Sequence, residues 1–115
     1  MLTIRETSIT ENIVKHCERI IIKSIDITET EFKTNLDLIE IICFNILQIG
    51  ELAAHFEKSF ISKHNMVPWD KIIGMRNVVV HGYGSIKLNK VWETLIHDIP
   101  VLCKYCKDIL IDKDK

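Results

Sequence analysis

The sequence lacks the features that mark membrane, secreted and strongly basic proteins. The formal net charge of its 115 residues is −1, so there is no overall basic footprint for nucleic acid. The polar N-terminal stretch contains no apolar segment typical of a signal peptide. The most apolar stretch, residues 38–54, is interrupted by polar residues that a membrane span would tolerate poorly. We therefore expect a cytoplasmic protein with one domain, residues 1–115, that does not enter a membrane.

The four cysteines lack the pattern of a complete zinc site. Cys103 and Cys106 have the spacing of two zinc ligands, but no second pair follows them. Both fall on one apolar face of a predicted helix, where free cysteine packs as a small apolar side chain. Disulfides are not expected without a secretory context. We favour a place in the core over a metal site, and we expect neither a metal nor a cofactor.

The N-terminal half predicts two helices joined by a polar connection without proline or glycine. Ser8 and Glu11 fit a capping box in front of a first amphipathic helix over about residues 9–25. Thr34 and Asp37 have a similar spacing and predict the start of a second helix.

This second predicted helix is more apolar than one buried face requires. Twelve of the seventeen residues 38–54 are apolar, which is too many for a single stripe. Four polar side chains, Glu40, Asn45, Gln48 and Glu51, fall within an arc of ~140° around the helix axis. They form either a strip that faces solvent or one wall of a cleft. Because a monomer rarely leaves a large apolar face open, we predict a homodimer that buries one side of this helix.

The C-terminal half predicts two further helical regions. Pro68 suits the first turn of a third helix over residues 69–80. Residues 78–80 are all valine and alone could form a short strand, but the preceding apolar residues keep helical spacing. A last helical region covers about residues 88–111, and Pro100 should kink it or divide it in two. The predicted architecture is all-α, an up-and-down bundle of four to five helices.

Residues 76–83 read Arg-Asn-Val-Val-Val-His-Gly-Tyr and collect side chains suited to phosphate chemistry. Arg76 can hold a phosphate with its planar fork of donors. His81 can transfer a proton near neutral pH. Tyr83 adds a hydroxyl group beside both. The surrounding window 70–90 has four basic residues and one acidic residue, which favours an anionic ligand.

These side chains match the needs of RNA cleavage without a metal. The 2′-hydroxyl must lose a proton, the leaving 5′-oxygen must gain one, and the charge on the phosphorane must be stabilised. His81 could transfer protons and Arg76 could stabilise the charge, and a second copy of the motif would supply a second histidine. On an ideal helix the two residues are ~140° apart around the axis. A shared site therefore requires the Arg76 side chain to reach across, or the helix to loosen near residues 80–82. Each residue alone is more often structural than catalytic, so spacing alone leaves both interpretations open.

The motif resembles that of HEPN domains, whose pattern is Arg-x4-6-His, with the additional x-Tyr of the HepT-like branch. Other segments resemble the same branch in the same order from about residue 36 to 110: Asn45 to Ala53 with Gly50-Glu51, Val67 to Met75, Val91-Trp92 and Ile99-Pro100. In the first of these, Leu52 intervenes within a Gly-Glu-Ala pattern.

The resemblance implies a HEPN-like homodimer in which two motifs face one cleft, and a metal-independent endoribonuclease toxin. Its substrate would be RNA, with no DNA expected, and Arg76 and His81 would be catalytic, with Asn77 in support. Its partner would be a minimal nucleotidyltransferase (MNT) antitoxin that silences the nuclease by adenylylation of Tyr83, using ATP. The alternative is a non-catalytic helical module that binds nucleotides or partners.

Overall fold

The computed structural model describes residues 1–80 and 87–112, and every regular element within them is helical. This confirms the all-α prediction. In chain order the elements are α1 (Ile4–Lys23), α2 (Glu29–Thr34), α3 (Leu36–Ala53), α4 (Lys58–Lys63), α5 (Trp69–Val80), α6 (Leu88–Glu93), a π-helical segment (Thr94–Asp98) and α7 (Ile99–Asp112).

The long helices form a bundle with α3 at its centre. α3 packs against both α1 and α5, and α7 packs along α1. Isoleucine supplies much of the core, and several of these side chains have 0–1% of their surface exposed: Ile13, Ile20, Ile42, Ile49, Ile72 and Ile99. Each side chain buried in this way contributes about 1.5–3 kcal/mol. The bundle is therefore held mainly by branched apolar side chains from all four long helical stretches.

The start of α1 differs from the prediction. The capping box is formed by Thr3 and Glu6, whose reciprocal hydrogen bonds measure 3.0 and 2.9 Å. Ser8 lies inside the helix, and its carbonyl group accepts a hydrogen bond from Asn12. Thr3-x-x-Glu6 and Ser8-x-x-Glu11 both fit the capping pattern, and the helix begins at the earlier one. The predicted box at Ser8 is thus wrong by five residues.

Two short helices, α2 and α4, occur that the sequence analysis did not predict. In α2, Thr28 and Glu31 form a capping box, and Phe32 is fully buried against Trp92 with ring centroids 5.7 Å apart. The start of α3 follows at once, with Asn35 as its N-cap rather than Thr34. In α4, Phe60 is buried in an aromatic stack. A single buried phenylalanine anchors each short helix, too little apolar signal for periodicity to detect.

The C-terminal helical region follows one continuous path through the π segment. The backbone N–H of Ile99 bonds to the carbonyl of Thr94, five residues earlier. Pro100 has no N–H to donate, and the wider π turn just before it accommodates the missing bond. Helical dihedral angles continue through Thr94 and Ile99. Pro100 therefore leaves the helical path undivided.

The cysteines occupy the core, as favoured from the sequence, and all four are free and buried. A side-chain hydrogen bond to Cys103, together with burial, raises the pKa of Cys17. Burial raises the pKa of Cys106 to about 12 and that of Cys43 to about 11. In the described part of the chain, no helix combines the length and apolar character needed to cross a membrane.

Candidate functional site

Arg76 is positioned by an unusually close approach of α3 and α5. A β-carbon added at Gly50 would lie 3.2 Å from the Cβ atom of Arg76 and 3.3 Å from the carbonyl oxygens of Ile72 and Ile73. Contacts this short involve backbone atoms and a β-carbon, which cannot rotate away. The absence of a side chain at Gly50 therefore lets α5 rest on α3. As a result, the Cβ atom of Arg76 lies directly over the last turns of α3.

The guanidinium group of Arg76 is oriented by Glu51. Arg76 Nη1 donates a hydrogen bond to Glu51 Oε1 at 3.2 Å, with side-chain exposures of 34% and 51%. An ion pair this exposed contributes at most about 1 kcal/mol to stability, so its main effect is orientation. A guanidinium group carries five N–H donors. Within residues 1–80 and 87–112, this is the one side-chain hydrogen bond of Arg76. The arginine is thus held on one side by Glu51, and its other N–H donors have no side-chain partner among the described residues.

The other predicted site residues are only partly described. Asn77 follows Arg76 on α5 and is exposed to solvent. It lies about 100° further around the helix, so the two side chains diverge. His81 and Tyr83 lie outside the described residues, and their meeting with Arg76 stays a prediction.

The four polar residues of α3 have different environments, which the sequence pattern did not separate. Asn45 is buried, with 3% of its surface exposed, and its Nδ2 donates to the carbonyl of Ile41 at 2.8 Å. Its Oδ1 accepts from His16 Nδ1 at 2.8 Å, which joins α1 to α3 and places the ring proton on Nδ1. Gln48 is half-buried, and only Glu40 and Glu51 are exposed. Asn45 therefore belongs to a packing contact rather than to a solvent strip or a cleft.

The outer face of α3 carries exposed apolar side chains. Leu36, Ile41 and Phe44 are all exposed on this helix. Leu36 and Phe44 border a groove of about 210 Å³ that continues to Val79 in the last turn of α5. This apolar face is the one expected from the excess of apolar residues in α3.

A second groove lies on the other side of α5, facing the π segment, and the sequence analysis missed it. Its volume is about 430 Å³, and it is lined by Lys71, Gly74, Met75, Lys90, Glu93, Thr94, His97 and Asp98. Lys71 Nζ pairs with Asp98 Oδ1 across it at 3.1 Å. A β-carbon at Gly74 would meet no atom within 4 Å, so packing does not require glycine there. A glycine in the interior of a predicted helix was the available signal.

The fold and this geometry define a small all-α bundle that presents an arginine, held by a glutamate, where two helices cross. Residues 12–109 match the HepT-like family, described as Ribonuclease HepT-like, and the chain belongs to that family of RNA-cleaving enzymes. The match confirms the resemblance seen in the motifs.

Several curated proteins are similar to the chain. "Putative RNase TTE0752" of Caldanaerobacter subterraneus subsp. tengcongensis is 34% identical over 87% of this chain and 89% of its own length. "Gamma-glutamylcyclotransferase and putative RNase MJ0434" of Methanocaldococcus jannaschii is 31% identical over 78% of this chain and 40% of its own. "Probable ribonuclease HepT" of Thermococcus cleftensis is 32% identical over 47% of this chain and 49% of its own. No solved structure gives a significant match.

Proposed function

We propose that the protein is a metal-independent endoribonuclease toxin whose catalytic residues are Arg76 and His81. The observation that carries this proposal is the placement of Arg76, fixed by the Gly50 crossing and held on one side by Glu51. An oriented, partly exposed guanidinium group in a ribonuclease family is suited to bind the scissile phosphate.

The proposed reaction uses the 2′-hydroxyl of RNA as the nucleophile. A histidine base takes the 2′-hydroxyl proton, and the oxygen attacks phosphorus. Arg76 donates to the non-bridging oxygens while negative charge builds on the phosphorane. The bond to the 5′-oxygen then breaks, and that oxygen gains a proton from a histidine acid. The products are a 2′,3′-cyclic phosphate and a free 5′-hydroxyl. Asn77 would support the reaction by donating from its exposed amide.

The proposed reaction uses no bound metal, since histidine transfers the protons and Arg76 provides the positive charge that stabilises the phosphorane. We therefore expect cleavage to continue in EDTA.

The mechanism is tested by substitution within the motif. Arg76→Ala should slow cleavage about a hundredfold, the usual effect of removing one donor to a developing oxyanion, and His81→Ala should abolish it. Arg19→Ala is the matched control, because Arg19 is an exposed arginine on α1. Initial rates on a labelled RNA, with and without EDTA, are the measurement, and circular dichroism checks the fold. Full cleavage by the His81 variant, or loss of wild-type cleavage in EDTA, would contradict the proposal.

The apolar face of α3 supports a homodimer that brings two motifs to one cleft. Phe44 is 54% exposed in the middle of this face, and the adjoining groove ends at Val79, two residues before His81. A second copy seated here would place the end of its own α5 close by and supply a second histidine. Each copy would then take part in the two proton transfers.

The dimer is tested by placing a charge on this face. Phe44→Asp should weaken dimerisation by at least about thirtyfold, since a central aromatic contact contributes ~2 kcal/mol or more. Ile22→Asp is the control, because Ile22 is also exposed, at 67%, but lies on α1. Analytical ultracentrifugation gives the dissociation constant, and a wild-type monomer at micromolar concentration would rule the dimer out.

We further propose control by a minimal nucleotidyltransferase antitoxin that adenylylates Tyr83. AMP on this hydroxyl would introduce a phosphodiester anion that competes with RNA for the donors of Arg76. Peptide mass spectrometry after co-expression with such an enzyme and ATP is the test. Addition of AMP to the peptide containing Tyr83 supports this control, whereas an unmodified peptide from an inactive complex indicates inhibition by occlusion.

A further inference from the structure

The groove between α5 and the π segment has a second cavity beside it at the start of α6, with one lining residue in common. The two cavities, of about 430 and 500 Å³, share Lys90 as a lining residue. Lys71 lies along the first cavity, and Lys33 and Lys87 lie along the second. Four lysines, Lys33, Lys71, Lys87 and Lys90, thus line the two cavities, and we call this set the lysine path.

Two of these lysines have no ion-pair partner in the part of the chain that the structure describes, and they can attract an anion. Lys33 pairs with Glu29 at 2.7 Å and Lys71 pairs with Asp98 at 3.1 Å, so both are neutralised. Lys87 and Lys90 are exposed, and neither has an ion-pair partner among the described residues. Among the described lining residues, the one acid outside these pairs is Glu93, so Lys87 and Lys90 outnumber it.

A third cavity has the reverse charge. It lies between α2 and α3, and among its described lining residues Glu31 and Asp37 are acidic and none is basic. A polyanion would be repelled there and attracted to the lysine path, because phosphate contacts dominate the affinity of nucleic-acid complexes. The cavities therefore differ in the sign of charge they offer a strand.

The wall of the groove also has room for a backbone. Glycine inside a helix costs about 0.5–1 kcal/mol relative to alanine, yet Gly74 has open space where a β-carbon would stand. Thr94 and His97 face it from the π segment, a helical form frequently found at functional sites. The hydroxyl and imidazole groups are suited to bond ribose and base edges. The groove thus combines open space at Gly74, positive charge from the lysines, and the polar side chains of Thr94 and His97.

We propose that this groove binds the single-stranded RNA next to the scissile phosphate. The proposal rests on the proposed ribonuclease function and names the path of its substrate. Lys87 follows His81 by six residues, and Lys71 precedes Arg76 by five on α5. Because a helix with its side chains is about 10–12 Å across, a strand that bends around α5 joins Arg76 to the groove within a few nucleotides. Lys87 and Lys90 hold the phosphates of that flanking strand.

The test compares Lys87→Gln/Lys90→Gln with the control Lys15→Gln/Lys58→Gln. The control removes the same charge from exposed positions on α1 and α4. Cleavage of labelled RNA oligonucleotides of increasing length gives KM and kcat. The groove variant should raise KM by about five- to tenfold on long strands, with the main change in KM rather than kcat. Its salt dependence, as the slope of log KM against log salt, should fall by about 0.7 per lysine.

Binding is measured separately by fluorescence anisotropy, with the same lysine changes made in His81→Ala protein to prevent cleavage. An unchanged KM and RNA affinity in the groove variant, or equal losses in the control, would overturn the groove while cleavage itself persists. Absence of any cleavage by wild-type protein would instead count against the proposed function. Weakened binding of an antitoxin with unchanged RNA affinity would show that the groove docks a protein, and would also overturn this proposal.

Discussion

The two sides of α5 are built on opposite uses of glycine. Toward α3, a β-carbon at Gly50 would press within 3.2–3.3 Å of α5, so the two helices meet backbone to backbone. Toward the π segment, a β-carbon at Gly74 would enter empty space. One glycine removes a collision, and the other leaves a gap unfilled at a cost to helix stability. The close side fixes Arg76, the arginine that we propose as catalytic, whereas the open side leaves a groove of about 430 Å³.

The largest expected effect comes from adding a side chain at Gly50, where α3 and α5 are in close contact. Gly50→Ala should lower the free energy of unfolding by about 1–3 kcal/mol, because backbone oxygens must move to admit the methyl group. The shift of α5 should also displace Arg76 and reduce cleavage more than the stability loss explains. Chemical denaturation and initial rates at a temperature where the variant is fully folded are the measurements. A variant of wild-type stability and rate would show that the crossing tolerates a side chain.

The next effect concerns the orientation of Arg76 rather than the packing beneath it. Glu51→Ala should lower kcat about tenfold, since a loosened guanidinium group is less often in the productive geometry. KM should fall or stay constant, because a negative charge near the phosphate is removed. Unfolding free energy should change by less than about 1 kcal/mol.

Glu51→Gln provides the control for this change. It keeps an oxygen acceptor for Arg76 Nη1 without the charge, so kcat should recover most of the loss. Equal kcat values for the alanine variant and the wild type would show that Glu51 does not position the arginine.

The smallest effect comes from filling the open side. Gly74→Ala should raise the unfolding free energy by about 0.5–1 kcal/mol, since alanine is the better helix former and meets no neighbour. At the same time, KM for long RNA should rise about twofold as the methyl group narrows the groove. Thermal denaturation measures the change in stability, and cleavage kinetics on the same preparation measure the change in KM. A more stable variant with unchanged KM would show that RNA does not approach this glycine.

The sequence predicted those parts of the fold that repeat along the chain. Pro68 and the helical spacing after it placed α5 correctly at Trp69–Val80. The short helices α2 and α4 were missed because each depends on one buried aromatic residue, Phe32 or Phe60, whose partners are distant in sequence. Tertiary contacts of this kind override local propensity.

The sequence names candidate residues for the site, which stay a prediction, but it did not give the contacts that the structure shows around Arg76. Periodicity placed Glu51 on the polar side of α3, yet it could not show that Glu51 reaches Arg76, because the register between two helices depends on packing at Gly50. The same pattern grouped Asn45 with Glu51, although Asn45 turns inward to bond His16. The sequence pattern shows on which side of a helix a residue lies, whereas its contact partner depends on how the helices cross.

The buried cysteines give the bundle internal reporters of its own opening. At neutral pH nearly every Cys43 and Cys106 side chain is the unreactive thiol, since burial raises their pKa values to about 11 and 12. Since Cys43 is 5% exposed and Cys106 is fully buried, a thiol reagent reacts mainly during the brief intervals when the packing around each thiol opens. Cys43 lines the apolar groove of α3, whereas Cys106 lies in α7, which packs along α1. The labelling rate of Cys43 would report opening at the α3 groove, and that of Cys106 would report opening between α7 and α1. Occupation of the α3 face by a second copy would slow the reaction of Cys43 alone.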